Sequence, residues 1–232
     1  MQLGFVLAEN MLAASTTLPM EMWRAAESTA RGRGNADAAL ATTLFACQIE
    51  PIPTQSGIAI PAEADFTSEQ TMDVVYLPAL WRNPRRVIRR NQSMFEWLVY
   101  QFEAGAMLAA VGTGCCFLAE AGLLDGKSAT THWHYLEQFA RNYPKVMLKR
   151  DYFITQAGSL FCAASVNALA DVTVHLIEHF YGRAVGHAKA VDEGRRRVQP
   201  GEHAPDLGPA AVHDHGPYVQ LLEENNVLGE RV

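Results

Sequence analysis

With 232 residues, 49% of them hydrophobic and 19% charged, the chain has the composition of a globular protein with apolar material for a substantial core. Its formal net charge of −6 gives no general attraction to polyanions, so any nucleic-acid surface is local or lies outside these residues. No apolar run approaches the roughly 18 residues of a membrane span, and the opening MQLGFVLAEN lacks the basic start and cleavage site of a signal peptide; a cytoplasmic protein without membrane contact is expected.

In chain order, strands are expected at LGFVLAE (3 to 9), ATTLFACQIE (41 to 50), DVVYLPA (73 to 79), MLAAV (107 to 111), SATTHW (128 to 133) and DYFITQAG (151 to 158). Helices are expected at PMEMWRAAES (19 to 28), from about Asn91 to Glu103, from near Thr113, and over VNALADVTVHLIEHFYG (166 to 182). In the last of these, Val166, Leu169, Ala170, Val174, Ile177 and Tyr181 recur at i, i+3/i+4 and should face the sheet. Apolar stretches alternating with helical ones predict an α/β fold, a flavodoxin-like three-layer sandwich with a mainly parallel central sheet and helices on both faces. After Gly186 the periodicity gives way to Pro, Gly and charge: 187–217 reads as a linker or surface strap, and YVQLLEENN opens a helix within 218–232.

The stretch AAVGTGCCFLAEAGLLDG (109 to 126) reads as a small-residue strand passing through a glycine turn into a helix. Such an elbow sets the turn residue at the carboxyl edge of the sheet, under a helix N-terminus that stabilises anions and thiolates. An enzyme would place Cys or Ser there; this chain has Gly112.

GTGCCFLAEAGLLDGKSATTHW, DVVYLPAL and NALADVTVHLIEHFYG together resemble the PfpI/ThiJ superfamily of class I glutamine amidotransferase-like domains. The likeness runs from Met1 to about Gly182 and is nearest to the branch that forms the N-terminal half of AraC-type transcriptional regulators. That family typically shows Cys-Thr-Gly at the elbow, so the resemblance puts the nucleophile position on Gly112, with Thr113 and Gly114 matching. It puts the acidic position, four residues before the proline that opens the first helix, on Ser15, and the family histidine on His132. One of three catalytic positions survives, and a histidine without its thiolate has nothing to activate. The resemblance also implies an amide offered to an oxyanion near Ala79 and Leu80.

Cys115 and Cys116, in the first turn of the following helix, are alternative nucleophiles, with Cys115 and His132 the pair a hydrolase or hydratase would use. The bland reading is that both pack as small hydrophobes. Cys47, Cys115, Cys116 and Cys162 lack CxxC spacing and read as reduced thiols. His132 with His134, His175 with His179, and His213 with His215 lack a third ligand at a telling distance, so no metal is expected, and no cofactor is implied. WRNPRRVIRRN (81 to 91) is the basic cluster; it could meet phosphates, an acidic partner or a second copy, though such runs usually solvate a helix entrance.

The resulting expectation is a non-catalytic sensor domain of an AraC-type regulator, residues 1–186. It would bind a small-molecule effector in a crevice above Gly112, near Ser15, Ala79, Leu80, Thr113, Gly114, Cys115 and His132. The resemblance implies a homodimer, and DNA contact through a C-terminal helix-turn-helix domain outside these residues.

Overall fold

The computed structural model describes residues 1–35 and 37–188. The strap expected over 187–217, beyond its first two residues, and the helix expected within 218–232 lie outside the described residues.

In chain order the elements are β1 (Gln2–Val6), α1 (Ala14–Gly32), β2 (Ala41–Phe45), β3 (Pro51–Pro53), β4 (Ala59–Pro61), β5 (Val74–Leu77), α2 (Arg85–Arg90) and α3 (Ser93–Glu103). There follow β6 (Met107–Val111), a 3-10 turn (Gly112–Gly114), α4 (Cys115–Glu120), β7 (Ser128–Ala129), a second 3-10 turn (Trp133–Tyr135), α5 (Leu136–Asn142) and β8 (Met147–Leu148). The last elements are β9 (Ile154–Ala157), β10 (Leu160–Ala163), α6 (Val166–Tyr181) and α7 (Arg183–Gly186).

Six strands form the central sheet in the order β2-β1-β5-β6-β10-β9; every pair is parallel except β10 with β9. The inner strands VVYL and MLAAV are apolar without alternation because helices cover both of their faces. On one face Tyr76 stacks on Phe5 at 5.0 Å and accepts a hydrogen bond from Trp23 Nε1 of α1, while α1 lies against α6. On the other, Phe45 of β2 meets Trp97 of α3 at 4.6 Å, and α3 lies against α4. The expected three-layer α/β sandwich is the fold found.

Four expectations change in detail. The run SATTHW pairs only through Ser128 and Ala129, with β8 and outside the main sheet. Its threonines fasten the loop instead: Thr130 donates to the Tyr152 carbonyl and Thr131 to the Gly112 carbonyl. DYFITQAG is the outer arm of a hairpin whose inner arm, β10, lies in the sheet beside β6 and carries Cys162. The first helix begins at Ala14, so Pro19 lies inside it and Ser15 sits in its first turn. In α6 the buried residues are Ala168, Leu169, Ala170, Val172, Thr173, Leu176 and Ile177, so Leu169, Ala170 and Ile177 are covered as expected, whereas Val166, Val174 and Tyr181 are only partly covered.

Candidate functional site

The carboxyl ends of β5 and β6 meet at the elbow. Gly112 has φ +54, the left-handed conformation that a side chain adopts only with strain, and a Cβ built there would stand 3.5 Å from Ala79 Cβ and 3.7 Å from His132 Cβ. Gly114 is a glycine for another reason: a Cβ there would lie 2.4 Å from the Pro78 carbonyl oxygen, so the turn closes against β5 only without one. The match at Gly114 is thus a packing requirement of the elbow.

Ser15 and Thr113 fasten the loop after β5. The Ala79 N–H donates to Ser15 Oγ at 3.2 Å, and Ser15 donates onward to the Leu12 carbonyl at 2.6 Å. The Leu80 N–H donates to Thr113 Oγ1 at 2.9 Å, and the same hydroxyl donates to the Leu80 carbonyl at 2.8 Å. The amides expected to face an oxyanion are therefore engaged inside the protein. A serine hydroxyl both donates and accepts, and here it ties α1 to the loop. That plug escaped the sequence reading, although a hydroxyl residue at each end of the site was its visible signal.

Cys115 is fully buried, with its Sγ 3.8 Å from the Ala110 carbonyl oxygen. Burial first, then the neighbouring Cys162, pushes its thiol well above the usual range, and burial likewise pushes Cys116 up. This corrects one expectation, since Cys115 does not line an open crevice, and it favours the bland reading of both thiols as core residues, which lack the exposed, electropositive setting of a thiolate. The helix N-terminus is outweighed because α4 packs directly onto β6, so Cys115 points into the core. All four cysteines are free thiols.

His132 is half-buried beside the elbow. Its Nδ1 accepts from the His134 N–H at 3.3 Å, and burial, then His134, lowers its pKa. The neutral imidazole is favoured, with Nδ1 as the acceptor. Trp133 follows, largely exposed, its ring 5.5 Å from that of His132. The structure thus brings Ser15, Ala79, Leu80, Gly112, Thr113 and His132 to one sheet edge, and turns Cys115 inward. Two concavities lie elsewhere: one lined by Asn83 and four arginines of α2, the other at the amino ends of β1 and β6. Among the described residues no group of three His, Cys, Asp or Glu could hold a metal, and no helix is long and apolar enough to cross a membrane. His213 and His215 lie outside the described residues.

The HTH-type transcriptional regulator CdhR of Pseudomonas aeruginosa is 27% identical over 132 residues, 57% of this chain and 38% of the regulator. The chain thus spans little more than a third of that relative's length. The isonitrile hydratase of Pseudomonas putida is 24% identical over 166 residues, 71% of this chain and 70% of the hydratase. An AraC family transcriptional regulator from Pseudomonas putida, solved by crystallography, has the same fold: TM-score 0.68 at 19% identity, covering 83% of this chain and 97% of that one. The pattern of the DJ-1/PfpI family matches residues 5–179, most of the sheet and its helices, and the chain, with transcriptional regulators among its relatives, belongs to the DJ-1/PfpI family.

Proposed function

We propose that this chain is the non-catalytic sensing and dimerisation domain of an AraC-type transcriptional regulator, a cytoplasmic protein whose DNA reader is a helix-turn-helix domain outside these residues. Residues 1–186 form the sensing unit. A small polar effector seats over Gly112, against Ala79, Leu80 and His132, and displaces the hydroxyls of Ser15 and Thr113 from the amides they now hold. The observation that carries the reading is the elbow itself. Its turn residue is a glycine in left-handed backbone, and the thiols beyond it are buried and pushed up in pKa. The regulators among its relatives support the same reading.

A ligand that trades places with two internal hydroxyls moves the loop after β5 relative to α1, a two-position change of the kind that can bias a dimer. The test is a thermal-shift screen of small amino acids, amines and carboxylates on the chain. One compound is expected to stabilise it, by about 2.7 kcal/mol at a hundred times its Kd, and His132→Ala should abolish that shift. The hydratase among the relatives names the rival, an enzyme using Cys115. Turnover of an isonitrile that disappears in Cys115→Ala and persists in Cys116→Ala would replace the sensing reading with the enzymatic one.

A further inference from the structure

Five arginines fall within residues 82–90, out of 19 Lys and Arg in the whole chain, and none of the cations in that stretch is a lysine. Four of them, with Asn83, line an open concavity of about 600 Å³ on α2. Pro84, Val87 and Ile88 are buried beneath, so the short helix is anchored by one face and presents guanidinium groups from the other. Arg90 pairs with Glu9, and Arg85 donates to Asn142 Oδ1 at 2.6 Å, which orients that guanidinium without neutralising it. Arg82, Arg86 and Arg89 have no ion pair among the described residues. Among the described residues Arg82 is also one of two non-glycine residues with positive φ, at +63. Exposed backbone strain of that kind clusters where a surface has a function.

We propose that this arginine face docks on the phosphate backbone of duplex DNA. The chain as a whole is acidic, at −6, and its charge without these five arginines is −6 − 5 = −11, so a polyanion is favoured at this face over the rest of the chain. Arginine rather than lysine suits the contact, since its planar fork meets phosphate oxygens in pairs. The concavity is open to solvent, so it encloses a small metabolite poorly and leaves its guanidinium groups accessible to an extended anion. The inference rests on the regulatory reading in one respect: an attached DNA reader is what brings duplex within reach. The contact would add sequence-independent affinity to whatever that reader recognises.

The test uses the full chain and a fluorescein-labelled 25-base-pair duplex of arbitrary sequence, followed by anisotropy from 20 to 200 mM KCl. Wild-type chain is expected to bind at low salt. Arg86→Ala/Arg89→Ala should weaken binding and reduce the slope of log K against log salt by about 2. Arg86→Lys/Arg89→Lys should keep the slope, and Arg33→Ala, outside the patch, should match wild type. Absence of duplex binding by wild-type chain, or a slope indifferent to the alanine pair, overturns the proposal. So does loss of self-association in the alanine pair with DNA binding intact, which would give the patch to a second copy. No effector enters the assay: a chain that binds duplex through this face but shifts with no metabolite loses the sensing reading alone, and the converse loses this one alone.

Discussion

A Cβ at residue 112 meets only Ala79 and His132 Cβ atoms, both at ordinary contact distance, so what opposes a side chain at the elbow is the backbone angle and not a clash at Cβ. Gly112→Cys should therefore fold, losing about 1–2 kcal/mol to the left-handed φ, as read by urea unfolding. Its new thiol should label with iodoacetamide faster than Cys115, Cys116 and Cys162, which are buried; equal labelling in wild type and variant would show that the elbow does not face solvent. His132 makes a second prediction at this scale. Burial and His134 hold its folded pKa below 6.5, so between that lowered value and 6.5 the unfolded chain binds more protons than the folded one. Stability is then complete above 6.5 and falls as the pH drops through this window. Unfolding midpoints between pH 7.5 and 5 should decline less steeply in His132→Gln, and an unchanged decline would mean that other groups carry it, such as His175, whose pKa is lowered by its own burial.

At the scale of elements, the loop after β5 is held by one backbone bridge and by side chains on either side of it. Met11 and Leu80 form an isolated antiparallel bridge, and Thr113 returns from α4's approach to hold Leu80 at both its N–H and its carbonyl. Thr113→Val keeps the shape and removes both bonds, leaving a buried amide unsatisfied, which costs about 1–3 kcal/mol. The loss should be local: amide exchange at Leu80 should accelerate more than exchange in β1. This junction also marks where the sequence could be read and where it could not. The elbow and its helix were legible because small residues, two glycines and an apolar run coincide over residues 109–118. The hairpin was half legible. DYFITQAG reads as a strand, while Gly158-Ser159, a two-residue turn of the type that joins antiparallel strands, is the signal for LFCA as its partner and is a short one. SATTHW misled for the opposite reason, since β-branched residues there spend their hydroxyls on neighbouring loops.

Over the whole molecule, layering was readable and face assignment less so. Unbroken apolar runs announce strands covered on both sides, and α6 was placed within a residue of its end, yet its stripe was misjudged because it packs against α1 as well as the sheet. That shared packing depends on one polar thread. Trp23 Nε1 of α1 donates to Tyr76 Oη of β5 at 2.8 Å; Tyr76 donates to Thr173 Oγ1 of α6 at 3.3 Å; and Thr173 donates to the Leu169 carbonyl at 2.8 Å. All three side chains are buried, and burial pushes the Tyr76 phenol far above its usual range, which keeps it a neutral donor and acceptor. Tyr76→Phe removes the middle link and leaves the indole N–H and one hydroxyl lone pair unpaired, a loss of about 1–3 kcal/mol. Because the links share an atom, losses from Tyr76→Phe and Thr173→Val should not add: the double variant should be less destabilised than the sum of the singles, measured in a urea double-mutant cycle. Strict additivity would mean that α1 and α6 are joined to the sheet by independent contacts, and that their alignment is set by the aromatic packing of Trp23 against Phe180 and Tyr181 instead.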